Sequence, residues 1–132
     1  MKATEDLVNW CAENSSLFEH QRVLELGSGP GLAGLSIIAL CHPKSFYFSD
    51  GHLHVLQLLK DNVLLNAKRW QCNAQEVPSR SSSPFLRART LASCMLESTS
   101  VAVLDLPWEN IKRQNFEGGL PFDIVVASGM CS

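Results

Sequence analysis

Residues 23–35, VLELGSGPGLAGL, constrain the fold of this chain more than any other stretch. Val23, Leu24 and Leu26 read as a buried strand, Gly27, Ser28, Gly29, Pro30 and Gly31 as a turn too tight for side chains, and Leu32 to Leu40 as a helix. Glycine takes positive φ without steric cost, so a strand can enter a helix through such a run in very few residues. The first N–H groups of the helix have no partner within it, and the turn is therefore a seat for a polar or anionic ligand.

The rest of the chain repeats this strand–helix unit. Glu5 to Ala12 has helical spacing through Leu7, Trp10 and Cys11, and Asn14-Ser15-Ser16 ends it before a first strand over Arg22 to Leu26. Leu32 to Cys41 forms the first crossover helix, which His42-Pro43 stops. Ser45 to Ser49, rich in aromatics, reads as strand two and is followed by Asp50. His52 to Lys68 is the best helical pattern, with Leu53, Leu56, Leu59 and Val63 on one face. Val77 to Thr90 is rich in serine, proline and arginine without an apolar period, which predicts a flexible internal loop inside a single domain spanning 1–132. Val101 to Leu104 and Phe122 to Ala127 are two further β-like runs, with a short polar helix from about Glu109 to Phe116 between them. The alternation predicts an α/β fold with a mostly parallel sheet of about four strands, and ligands bound beyond the strands' C-terminal ends. Glu25 to Gly31, Asp50, Asp105 to Trp108 and Ala127 to Gly129 all fall at such ends.

The glycines fit two patterns. Gly29, Gly31 and Gly34 match the dinucleotide fingerprint. Counted from Gly27, a strand ending in Glu25 runs into G-x-G-x-G, the pattern of enzymes that use S-adenosyl-L-methionine. The acid favours the second count, because a carboxylate repels a pyrophosphate but attracts the ammonium of the methionine moiety. Asp50, one strand–helix–strand step further on, stands where an acid accepts hydrogen bonds from ribose hydroxyls. It also immediately precedes a helix, so capping is an equally good reading.

Bulk composition excludes several classes. With 132 residues, 45% apolar content and a formal charge of −2, the chain has neither the basic face of a nucleic-acid binder nor an apolar run long enough to span a membrane. The opening MKATEDLVNW lacks a signal region, and the five cysteines are scattered without a C-x-x-C pair, so a reducing, cytoplasmic location is expected. His52 and His54, two apart on a helix, point to different sides and are not a metal pair; no metal site is expected. Arg80, Arg87 and Arg89 read as solvated loop, and neither Cys94 nor Cys131 has a base nearby in sequence to support thiol catalysis.

Together, ENSSLFEHQRVLELGSGPGLAGL, FSDGHLHVLQLLKDNVLLN, VAVLDLPW and FDIVVA resemble the seven-strand protein-lysine methyltransferases, with a Rossmann-like fold. FSDGH and NVLLN are most similar to the elongation factor 2 lysine methyltransferase group. The resemblance is strong over about Leu7 to Asn66 and weaker over Val101 to Ala127. It implies S-adenosyl-L-methionine as cofactor, with Gly27, Ser28, Gly29 and Gly31 beside its methionine part, Asp50 on the ribose, Trp108 against the adenine, and Ala127 and Ser128 bordering it. It also implies a protein substrate, elongation factor 2, and methyl transfer to a lysine amine.

The chain departs from that pattern at several places. Where the family has an acid-x-Leu-Tyr run after strand four, the sequence reads Gly129, Met130, Cys131, Ser132, and Pro107 replaces an acid before Trp108. The family's segment ahead of the first helix and its later strands have no counterpart, so the resemblance implies a partial domain truncated at both ends. No catalytic residue is assigned, and weak or absent activity is expected. The alternative role is a non-catalytic interaction module that pairs with the full-length enzyme or its partners through the open edge of strand four.

Overall fold

A computed structural model describes residues 2–69, 74–76, 89–106 and 122–127. In chain order the elements are α1 (Lys2–Glu13), a 3-10 turn (Ser15–Leu17), β1 (Arg22–Glu25), α2 (Leu32–Cys41), β2 (Ser45–Asp50), α3 (Leu53–Arg69), β3 (Ala74–Glu76), β4 (Arg89–Leu96), β5 (Thr99–Asp105) and β6 (Ile124–Val126). The strands form one sheet in the order β3-β4-β5-β2-β1-β6. β1 is parallel to β2 and β6, and β2 is parallel to β5, whereas β4 is antiparallel to β3 and β5. The α/β class and the mostly parallel sheet agree with the sequence reading, and the helices and parallel strands fall within a few residues of their expected places.

The strand count does not agree: among the described residues the sheet has six strands, not about four. The additional pair is β3 and β4, and Arg89 and Thr90, read as the end of a loop, begin β4. From Ala92 to Leu96 the even-numbered residues are buried while Ser93 and Met95 are less so, which is the period-two alternation of a strand. Arg, Ser, Cys and Ala have weak β preference, and Leu91 is an extra residue that breaks the register between Thr90 and Ala92. β4 turns into β5 through Glu97 and Ser98, and Glu97 takes the positive φ of 55° that a tight hairpin demands. No Asn-Gly or Asp-Gly pair marks that turn in the sequence. Residues 77–88, the polar helix expected at 109–116, Trp108 and Ser128 lie outside the described residues.

Alternation along the strands builds two cores. Val23, Phe46, Phe48, Val101 and Val103 point to one face, where they meet Cys11 of α1, Ile37 and Ile38 of α2, and Leu56, Leu59 and Val63 of α3. Leu24, Leu104, Leu106 and Phe122 gather on the other face with Tyr47 and Ala102. All three described helices thus pack on the first face. α2 lies close to β2 because Gly34 has no side chain: a Cβ there would meet the rings of Phe48 and Phe46. His42, with φ 49° and its N–H on the Ile38 carbonyl, closes α2 in the left-handed conformation, and Pro43 prevents continuation.

Strand order locates the binding crevice. From β1 the chain steps to β2 and then to β5 on one side, and β6 returns to the other side of β1. The direction reverses between β1 and β6, and at such a switch point the loops diverge and leave a cleft beyond the C-terminal strand ends. Leu26 N–H donates to Val126 O at 2.8 Å there, and Arg22 and Asp123 brace the opposite end of the same strand pair.

Candidate functional site

The glycine turn leaves β1 at the switch point. Gly27, Gly29 and Gly31 have φ of 62°, 57° and 94°, in the region that side chains other than glycine's rarely adopt. Gly31 lies against α3, since a Cβ there would come 2.8 Å from Leu59 Cδ1. Gly29 is the opposite case: a Cβ added there would meet nothing within 4 Å. The turn therefore has a packed side at Gly31 and an open side at Gly29, and α2 begins from it without a side-chain cap.

Hydrogen bonds fix the turn to β2 and α3. Ser28 N–H donates to Ser49 O at 2.8 Å, Ser49 N–H donates to Ser28 Oγ at 3.0 Å, and the Ser49 hydroxyl donates to Glu25 O at 2.5 Å. Gly29 N–H donates to Asp50 Oδ2 at 3.2 Å. Gly31 N–H closes back on Ser28 O at 3.1 Å, and Asn62 Nδ2 of α3 donates to Pro30 O at 2.8 Å. Sequence reasoning missed Ser49 and Asn62. Both lie within the segment that carried the resemblance, but their hydrogen bonds span 24 and 32 positions of sequence and have no local signature.

Since Leu56 N–H donates to His52 O at 2.9 Å and places His52 at the cap of α3, Asp50 is not its N-cap but holds the loop ahead of it. Its Oδ1 accepts from Gly51 N at 2.8 Å and His52 N at 3.1 Å, at the entry to α3, while its Oδ2 faces Gly29. Asp50 is 8% exposed and lies in register with Asp105 of β5, so two acids border the cleft side by side. Glu25 is fully buried, on the helix-bearing face of β1 with Val23, rather than open to the cleft. Its carboxylate is near enough to Cys11 to help raise that thiol to about 11, after burial itself and Cys41 as the larger causes. Ala127 follows β6 directly and is exposed beside the turn, because Val126 pairs with Glu25.

The structure thus brings Glu25, Gly27, Ser28, Gly29, Gly31, Asp50 and Ala127 to one end of the sheet. His52 and His54 are both exposed at the start of α3. On the helix-bearing side, α1 and α2 leave a groove lined by Glu5, Val8, Asn9, Leu32 and Ser36, next to the first turn of α2. Gly34, which packs α2 on the sheet, suits either reading of the glycine pattern.

Comparison with known proteins decides between those readings. Residues 2–79, more than half of the chain, match the family described as lysine methyltransferase. The protein-lysine N-methyltransferase EEF2KMT of Bos taurus is 55% identical over 60 residues, covering 46% of this chain and 18% of that protein. Its Homo sapiens counterpart is 34% identical over 122 residues, covering 92% of this chain and 31% of that protein. A calmodulin-lysine N-methyltransferase of Arabidopsis thaliana is 32% identical over 124 residues, or 94% of this chain and 32% of that protein. The chain spans about a third or less of the length of these relatives. With its fold, its glycine turn and these matches, the chain belongs to the lysine methyltransferase family, among the protein-lysine N-methyltransferases.

Proposed function

We propose that this chain binds S-adenosyl-L-methionine at the turn from Gly27 to Gly31, and that the methyl group is transferred to a lysine of a protein substrate, elongation factor 2. The observation that carries the reading is Gly29: a left-handed backbone position with empty space where a side chain would stand, at the switch point of the sheet. Such a cradle suits the close approach of a ligand to backbone. Asp50 would receive the ribose hydroxyls on Oδ2, which among the described residues accepts from Gly29 N–H at 3.2 Å, while Oδ1 stays on the Gly51 and His52 N–H groups ahead of α3. Ala127, Trp108 and Ser128 would border the cofactor by resemblance. The buried Glu25 carboxylate favours the ammonium end through its field rather than by contact.

When bound, the cofactor supplies an electrophilic methyl on a sulfonium. Nucleophilic attack requires a neutral lysine amine in line with it, so positioning and exclusion of water contribute most of the rate. The turn's share of that work is rigidity, because its backbone is tied to Ser49, Asp50 and Asn62. Substrate choice follows the relatives, of which two are EEF2KMT enzymes and one is a calmodulin-lysine N-methyltransferase. A cytoplasmic setting belongs to the same proposal.

The test is a methyl-transfer assay with labelled S-adenosyl-L-methionine on purified elongation factor 2, with calmodulin beside it. Label on elongation factor 2 alone supports the proposal; label on calmodulin alone, or on neither, removes the substrate assignment. A second reading, a non-catalytic interaction module, is favoured by β6, which is the last strand of the sheet among the described residues and leaves Val125 50% exposed. It requires co-purification with the full-length enzyme, and a chain that stays monomeric in its presence refutes it.

A further inference from the structure

We propose that Asn62 is a positioning residue for the glycine turn, fixing through the Pro30 carbonyl the backbone that meets the cofactor without touching the cofactor itself. The inference rests on the cofactor reading above. Its ground is one face of α3, on which Leu59 and Asn62 stand one turn apart. Leu59 presses against Gly31 from below, and Asn62 Nδ2 holds Pro30 O at 2.8 Å.

Why that carbonyl needs a partner follows from the local conformation. The hydrogen-bonded turn runs from Ser28 to Gly31, with Gly29 (φ 57°) and Pro30 as its central residues, and Gly31 at its end has φ 94° and ψ 6°. The peptide that joins Pro30 to Gly31 can rotate because glycine accommodates φ of either sign. Peptide planarity couples the two ends of that unit. If the Pro30 carbonyl leaves Asn62, the Gly31 N–H leaves Ser28 O, on which it now lies at 3.1 Å. Gly29 precedes this peptide and α2 follows it, so a flip would redirect the open side of the turn and the entry to the helix. That peptide is held at both ends, its N–H by Ser28 O and its carbonyl by Asn62 Nδ2. The Asn62 amide is half-buried and supplies that hold.

An internal control lies one helical turn further on. Asn66 Nδ2 donates to Asn62 O at 2.8 Å, wholly within α3, and touches nothing of the turn. Replacing Asn66 removes an amide from the same helix without releasing Pro30.

The experiment compares Asn62→Leu, Asn62→Asp and Asn66→Ala with the wild type in three readouts. These are the Kd for S-adenosylhomocysteine by calorimetry, amide exchange at Gly31 by NMR, and the thermal midpoint. Both Asn62 variants are expected to bind about fivefold more weakly, the effect of one lost hydrogen bond, with faster exchange at Gly31. Asn66→Ala should leave both readouts unchanged. The proposal is overturned if Asn62 variants keep the wild-type Kd and Gly31 exchange, or if Asn66→Ala loses as much affinity at a similar midpoint. Should the wild type itself fail to bind S-adenosylhomocysteine, the cofactor reading falls, and Gly31 exchange in Asn62→Leu alone decides whether Asn62 holds the turn.

Discussion

Replacing Gly34 with alanine sets two effects against each other inside one methyl group. Gly34 lies within α2, where alanine is the better helix former by about 1 kcal/mol. The added Cβ, however, would stand 2.7 Å from Phe46 Cε1 and 2.9 Å from Phe46 Cζ, and closer still to Phe48. Both rings are fully buried and packed on each other at 4.7 Å between centroids with a 51° tilt, so neither can swing aside cheaply. Carbon atoms settle at about 3.5–4.0 Å, and α2 must therefore lift from β2 by about 1 Å, loosening Ile37 and Ile38 as it goes. Overpacking of this kind costs about 1–3 kcal/mol and exceeds the propensity gain in most of that range. The expected net loss is about 1 kcal/mol, seen as a thermal midpoint lower by about 3–6 °C. Urea unfolding followed by far-ultraviolet circular dichroism measures it, and Phe48→Leu in the same chain should recover part of the loss. Because α2 begins at Gly31, S-adenosylhomocysteine affinity should fall as well. A Gly34→Ala protein as stable as the wild type, or more so, would refute the close helix–sheet contact.

Two predictions concern ionisation. The Arg22 guanidinium and backbone N–H hold the Asp123 carboxyl below its ordinary range, with Nη2 to Oδ1 at 3.1 Å and N to Oδ2 at 2.9 Å. A depressed carboxyl stabilises the fold above its unfolded value and loses that stabilisation as pH falls through the folded one, so the loss lies below about pH 4. Asp123→Asn should flatten the acid limb of a stability–pH curve, and an unchanged slope would contradict the pairing. Cys11 is the opposite case: burial, then Cys41 and Glu25, lift its thiol from 9.0 to about 11. Folding stability should therefore decline between those values as pH rises, and iodoacetamide at neutral pH should leave Cys11 unmodified in the folded chain; rapid alkylation there would show that α1 opens.

What could be read from the sequence, and what could not, divides along physical lines. The α2 and β2 boundaries were legible because Gly31, His42-Pro43 and the aromatic run from Phe46 each carry a local signal. β4 was not, since its residues gain their place only by pairing with β5, and its hairpin turns on Glu97 in place of glycine. The glycine turn itself was legible, as was the convergence of Asp50 and Ala127 on it. Two properties of the site appeared only in three dimensions. Glu25 alternates onto the helix-bearing face and is buried rather than open, and the turn hangs from Ser49 and Asn62. Spacing alone could not tell Gly29, with open space before it, from Gly31, pressed on Leu59.

That distinction supplies the most direct test of the cofactor assignment. Calorimetric titration of S-adenosylhomocysteine into the wild type and Gly29→Val, with NADH as a second titrant, asks whether the open side of the turn is the ligand seat. The cofactor account predicts binding of S-adenosylhomocysteine but not NADH to the wild type, and loss of that binding in Gly29→Val, where the valine fills the space before the turn. Equal affinity of the two proteins for S-adenosylhomocysteine, or binding of NADH instead, would contradict it.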